Sequence, residues 1–223
     1  MTDDVVVVGG GVVGASVAYH LARAGVPRVT VVDRGGSTTA RATGGFRIQF
    51  ATEVNVRLSL LSRAKLLRFA EETGVDPGYQ PHGYLFVAGT EANLDRLREA
   101  MAVQRSAGHR EARELSRDEV LACNPALAPE GLLGGAFSPS DGFLRPTEIQ
   151  RGYREAAARL GVRFLETPVR GLRRQARGSP PWRPPEELFP AERWSTPRVP
   201  GRPRWPGWRG PRFRSRRSAA RWR

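Results

Sequence analysis

The chain has 223 residues, 36 Lys+Arg against 22 Asp+Glu, a formal charge of +14 and a single cysteine. That length accommodates one or two domains, the lone Cys123 excludes an intrachain disulfide or a cysteine metal cluster, and no apolar run approaches the roughly 20 residues of a membrane span. His20, His82 and His109 lack metal-ligand spacing and the start, Met1-Thr2-Asp3-Asp4, lacks a basic signal region, so no metal, no membrane association and a cytoplasmic location are expected.

In chain order, Val5-Val6-Val7-Val8 is a β-branched run of the kind a buried parallel strand needs. It runs into Gly9-Gly10-Gly11-Val12-Val13-Gly14, which satisfies G-x-G-x-x-G. A helical pattern follows, with Val13, Val17 and Leu21 on one stripe and Gly25 closing it. Val29-Thr30-Val31-Val32 reads as a second strand, ending at Asp33. Gly9 permits the tight turn, Gly11 lets backbone approach a pyrophosphate, and Gly14 lets the helix pack close to the sheet. The helix N-terminus offers unpaired N–H groups to phosphate. Asp33, 19 residues past Gly14, is placed to accept hydrogen bonds from a ribose. The acid disfavours a 2′-phosphate and hence NADP, leaving FAD and NAD open.

The stretch after Asp33 separates those two. A nicotinamide enzyme would continue with strand–helix repeats, whereas residues 34–50 are polar and glycine-containing. A helical pattern then spans 53–73, with Val56, Leu60, Ala64 and Leu67 on one face and Leu58, Leu61 and Leu66 off it, so a well-buried helix is expected.

At this point the chain resembles the D-amino-acid-oxidase-like FAD oxidoreductases, in the branch of sarcosine oxidase β-subunit, glycine oxidase and dimethylglycine dehydrogenase. The residues carrying the resemblance are 5–14, Asp33-Arg34, Ser37, Gly44-Gly45-Phe46-Arg47-Ile48-Gln49-Phe50, Gly83-Tyr84-Leu85-Phe86-Val87-Ala88, Glu114-Leu115-Ser116 with Glu119-Val120, Gly134-Gly135-Ala136-Phe137, and Asp141-Gly142 with Pro146. The resemblance implies FAD as cofactor. It implies that Gly9, Gly11, Val12, Val13 and Gly14 hold the pyrophosphate and that Asp33 holds the adenosine ribose with Arg34 beside it. A loop carrying Ser37, Thr43, Gly44, Gly45 and Arg47 would pass next to the flavin, Arg47 near the ring. No His or Cys lies between residues 34 and 81 to tether flavin covalently from this loop.

Further along, 83–88 reads as a strand, Glu91–Ser106 as an amphipathic helix with Leu94, Leu97 and Met101 on one face, and Ser116 with Glu119 as a capping box. Residues 134–137 suggest another strand, 146–160 a helix with Ile149, Tyr153, Ala156, Ala157 and Leu160 inward, and 162–165 the next parallel strand. Tyr84 is a candidate for facing substrate, and no catalytic constellation is evident. The resemblance implies an α/β fold, a Rossmann-like FAD-binding βαβ unit plus the start of an antiparallel substrate domain. The parts would be 1–78 and 143–173 for the cofactor and 79–142 for the substrate. The implied activity is oxidation of a small amine or amino acid by hydride transfer to flavin; a truncated, inactive dinucleotide-binding fragment is the alternative.

Residues 174–223 are of another kind. They hold 14 Arg, three Glu, all five Trp and 10 of the 18 Pro, with Leu188 and Val199 as the only aliphatic residues larger than alanine. They therefore carry +11 and leave +3 for residues 1–173. Such a segment cannot build a core, and a disordered Arg/Pro/Trp-rich tail is expected. Arg with interleaved Trp could bind nucleic acid through phosphate charge and base stacking, a partner disfavoured by a simpler origin. The chain uses 35 Arg against one Lys, as a GC-rich gene would. Codons for Trp194-Ser195-Thr196-Pro197-Arg198-Val199-Pro200-Gly201-Arg202, regrouped one base earlier, allow Val-Asn-Ala-Ala-Gly-x-Trp, the segment expected next in the resembling family. A shift of frame near 172–180 is the expectation. The gene sequence checks it: the earlier frame should spell that segment, and a nucleotide sequence encoding anything else there removes the idea.

Overall fold

Val5, Val6 and Val7 are buried at the centre of the first strand. The computed structural model describes residues 3–36, 38–171 and 191–195. In chain order the elements are β1 (Asp3–Val8), α1 (Val12–Arg23), β2 (Val29–Asp33), a 3-10 turn (Thr39–Arg41), β3 (Gly45–Phe46), α2 (Glu53–Leu67) and α3 (Phe69–Thr73). They continue with β4 (Tyr84–Ala88), α4 (Glu91–Ser106), β5 (Arg113–Ser116), α5 (Arg117–Cys123) and β6 (Gly134–Ser138). Last come β7 (Gly142–Phe143), α6 (Pro146–Arg159), β8 (Arg163–Glu166) and β9 (Ala191–Ser195).

β1, β2, β8 and β9 form a parallel sheet in the order β8-β2-β1-β9, with Val5 opposite Val29 and Val31 opposite Phe164. Inner strands covered on both faces need apolar side chains on both, which the valine runs provide. Ala18 and Tyr19 of α1 and Ala156 and Ala157 of α6 complete one core cluster with Val5, Val7, Val29, Val31 and Val162. The approach of α1 depends on Gly14, where a methyl group would overlap the Gly9 carbonyl oxygen.

A second sheet is antiparallel, in the order β4-β6-β5, with Leu85 opposite Phe137 and Leu115 opposite Gly135. Thr90 caps α4 by accepting the Asn93 amide at 3.2 Å. The expected capping box opens α5: the Ser116 amide donates to Glu119 Oε2 at 2.8 Å and the Glu119 amide donates to Ser116 Oγ at 3.4 Å. The Ser116 amide and the Ser116 hydroxyl, which donates to Glu119 Oε2 at 2.9 Å, hold the Glu119 carboxyl below the usual carboxylate range. A short antiparallel ladder of β3 with β7 ties residues 45–46 to 142–143.

Some expectations are corrected. The buried face of α1 is Gly14, Ala15, Ala18 and Tyr19; Val17 and Leu21 flank it, and Val13 is 45% exposed. Small residues take the inner face because the helix lies close against the sheet. The helix expected over 53–73 is two helices, divided at Arg68. It is not well buried: Val56 is the one fully enclosed residue of α2, while Val54 (64%), Leu58 (56%) and Leu61 (64%) face outward, as do Ala64 and Leu67. Periodicity marks faces able to bury, and α2 packs mainly against α3 and α4. Leu160 is exposed because α6 ends at Arg159. The segment 174–223, expected to be disordered, contributes β9, parallel to β1 with Asp3 opposite Ala191 and Val7 opposite Ser195. The N–H and C=O groups along a strand edge pair with any extended backbone, whatever its side chains, so a segment without core residues can still add a strand. The rest of that segment lies outside the described residues. Among the described residues no helix is long and apolar enough to cross a membrane.

Gly14→Ala tests the helix–sheet approach. Alanine favours an isolated helix by roughly 1 kcal/mol over glycine, while overpacking of this kind costs about 1–3 kcal/mol and more against backbone. Urea unfolding should therefore show a net loss of stability; a more stable variant would mean that α1 does not need this contact.

Candidate functional site

The end of β1, the start of α1 and the end of β2 form one crevice. Gly9 adopts φ 102°, which disfavours any side chain, and Gly11 is the N-cap of α1 without a side-chain cap of its own. The positive end of the helix thus opens toward the glycine turn. The Gly10 amide donates to Asp33 Oδ2, and the Gly35 amide donates to Asp33 Oδ1 at 2.8 Å. Two oxygens with about four lone-pair directions keep acceptor capacity for a ligand's hydroxyls. The Gln150 side-chain amide donates to the Gly10 carbonyl at 2.8 Å, and the Val12 amide donates to Thr39 Oγ1 at 3.1 Å. A cavity of 210 Å³ sits here, with Gly10, Asp33, Gly35, Gly36 and Arg154 in its wall.

The glycine turn and Asp33 are joined by the Gly10 amide, while Val12 and Val13 open α1 beside them, Val13 facing outward. Arg34 and Thr43 are exposed, and Ser37 lies outside the described residues. Sequence reasoning missed Gly10, Thr39, Gln150 and Arg154. Asp33-Arg34-Gly35 does carry a local signal, since an aspartate commonly accepts the amide two residues on. Gln150 carries none, because it reaches Gly10 across 140 residues.

Gly45 and Arg47 belong to a different cavity, of 580 Å³, whose wall also includes Phe46, Lys65, Tyr84 and Tyr153; Gly44 precedes them outside that wall. Gly44 adopts φ 81°, and a methyl group there would overlap the Leu144 carbonyl. The Arg47 guanidinium stacks over Phe50, 4.7 Å from the ring centroid, and stands 5.5 Å from the Phe86 centroid. Arg47 and Lys65 are the charged residues in this wall, and both are cationic. Tyr84, the candidate for facing substrate, does line it. The two cavities share no wall residue, so Asp33 and Arg47 do not meet.

Behind the Arg47 loop lies a buried polar group. Asp141 is fully buried, and His109, from a polar stretch of sequence, is 2% exposed with its Nε2 3.0 Å from Ser138 Oγ. Burial pushes the His109 pKa down; the carboxylates of Asp141 and Glu111 oppose that shift, and Arg63 adds to it. His20 is also pushed down, first by burial and then by Lys65 and Arg23. His82 is exposed and 3.0 Å from Gln80 Oε1. Burial pushes the Tyr153 hydroxyl up.

The chain is similar to known proteins in sequence and fold. Residues 4–183 match the protein family described as FAD dependent oxidoreductase. A glycine oxidase of Geobacillus kaustophilus is 33% identical over 186 residues, covering 78% of this chain and 49% of that protein. The mitochondrial sarcosine dehydrogenase of Homo sapiens is 31% identical over 177 residues, covering 77% of this chain and 19% of that protein. Among solved structures, L-proline dehydrogenase from P. horikoshii superposes with a TM-score of 0.67 at 28% identity, covering 74% of this chain and 44% of that one. The chain thus spans half or less of the length of these relatives.

The buried imidazole has a pH consequence. With its folded pKa below the unfolded value near 6.5, His109 resists a proton that the unfolded chain takes up. Stability therefore falls as pH drops below the unfolded value, and is fully present above it. Thermal midpoints should decline from pH 7 to pH 5, less steeply in His109→Gln. An equal slope in the variant would assign the proton uptake elsewhere, His20 first.

Proposed function

Because this chain belongs to the FAD dependent oxidoreductase family, we propose that it binds FAD at the glycine crevice and oxidises a small amine or amino acid bearing a carboxylate, such as an N-methylated glycine. FAD fits the crevice by donor chemistry: a turn without side chains and a helix N-terminus whose N-cap residue is a glycine suit a pyrophosphate, and Asp33 keeps lone pairs for ribose hydroxyls. When bound, FAD supplies a hydride acceptor that oxygen or an electron carrier reoxidises.

The observation that carries the substrate class is the 580 Å³ cavity with Arg47 and Lys65 as its charged groups. Two cations suit a carboxylate, and Arg can hold it through two parallel N–H donors. Phe46, Phe50 and Tyr84 shape the space around the carbon chain, and Leu66, Leu144 and Ile149 add apolar wall to it. In this reading 1–78 and 143–173 serve the cofactor and 79–142 begin the substrate part. The second reading, a chain that binds a dinucleotide without turnover, is favoured by the composition of 174–223, which holds two larger aliphatic residues in 50.

Purified chain reconstituted with FAD separates the two. The expected result is one flavin per chain, bleached anaerobically by N-methylglycine or another small amino acid. Asp33→Ala should weaken FAD binding by about tenfold or more, as loss of hydrogen bonds to a charged group does. A stoichiometric flavin that no amine bleaches supports the second reading, and a chain that retains no flavin rejects both.

A further inference from the structure

Arg47 stands on a segment that is held at both ends. After it, the Ile48 amide donates to Asp141 Oδ1 at 2.9 Å and the Gln49 amide donates to Asp141 Oδ2 at 3.4 Å. The Gln49 side chain donates to the Tyr84 carbonyl at 2.8 Å. Before it, Gly45 and Phe46 pair with Phe143 and Gly142, and the Leu144 amide donates to the Gly44 carbonyl at 2.9 Å. Residues 141–144 thus clamp residues 44–49 along their length, and Asp141 supplies the side-chain part of the clamp.

The burial of Asp141 makes that part costly to disturb. A carboxylate with no exposed surface is tolerated when it accepts hydrogen bonds. Here both oxygens are occupied by amides of the two residues that follow Arg47. Ile48 is itself fully buried, so the backbone at Arg47 has an apolar anchor and an ionic one. The guanidinium lies over Phe50 and lines the cavity.

We propose that Asp141 is the positioning residue of the candidate site: through the Ile48 and Gln49 amides it sets where the Arg47 guanidinium stands. This rests on the reading of that cavity as a carboxylate site. Asp141 touches no substrate and acts through Arg47.

Asp141→Asn keeps one acceptor oxygen and turns an NH₂ donor toward a backbone N–H, so one of the two bonds is lost. In the full chain, hydrogen exchange at the Ile48 and Gln49 amides should accelerate about tenfold or more, while the Val6 and Val31 amides of the parallel sheet keep their protection. Acetate is the probe for the cavity, followed by the NMR shift of the Arg47 guanidinium or, in Arg47→Ala, by calorimetry. Its affinity should fall about tenfold in Asp141→Asn, and Asp141→Asn should add no further loss in an Arg47→Ala background. Unchanged exchange at Ile48 and Gln49 overturns the proposal, as do additive losses of acetate affinity. If Asp141→Asn loses sheet protection throughout, Asp141→Glu is read by the same criteria. Acetate that fails to bind the unsubstituted chain removes the carboxylate reading, and exchange at the two amides then decides the tether alone.

Discussion

The contact between Gly14 and the Gly9 carbonyl is the constraint on which the described structure depends. Any side chain at position 14 would push α1 off β1. α6 packs on α1, and Gln150 of α6 reaches the Gly10 carbonyl, so the glycine turn is held from three sides: by the sheet, by α6 and by Asp33. Tyr153 of α6 meets Tyr19 of α1 at 5.5 Å and Phe69 of α3 at 5.0 Å between ring centroids. Phe69 and Tyr153 also line the cavity of Arg47. Dense packing transmits displacement. The place where a dinucleotide would be gripped is therefore linked by packed rings to the place where a substrate would stand, although the two cavities share no residue.

What was legible in the sequence was local or periodic. The valine runs, the glycine turn, the Ser116–Glu119 box and the acid ending β2 each express their structure within a few residues. Of the second sheet, β4 and β6 were legible as strands, whereas β5, at Arg113–Ser116, was marked only by the resemblance. What stayed hidden joins distant positions by side-chain bonds without periodicity. Asp141 meets Ile48 across 93 residues and Gln150 meets Gly10 across 140. His109 is enclosed by α4 and β6 although its neighbours in sequence are polar. The α2 error is of another sort. Val56, Leu60, Ala64 and Leu67 repeat at helical spacing, so the sequence marks an apolar stripe, of which Val56 alone is fully enclosed. A stripe says that burial would be favourable; only three-dimensional neighbours say whether it happens.

Charge illustrates the same difference between amount and placement. The last 50 residues carry +11 of the chain's +14, yet numbers of Arg do not make a recognition site. Exposed charges are screened beyond about 8 Å at physiological salt, so a diffuse basic segment changes non-specific association and on-rates more than the choice of a small ligand. Arg47 is a single cation, but its backbone is clamped, its guanidinium lies against two rings, and its cavity wall holds no acid to compete with a carboxylate. At an effective dielectric of about 20, an ion pair at contact is worth roughly four times what it is in water. A cation that is already in place also loses less rotamer entropy when it binds. Selectivity for a small carboxylate would therefore follow the clamp that holds Arg47 more closely than it follows the net charge of the chain.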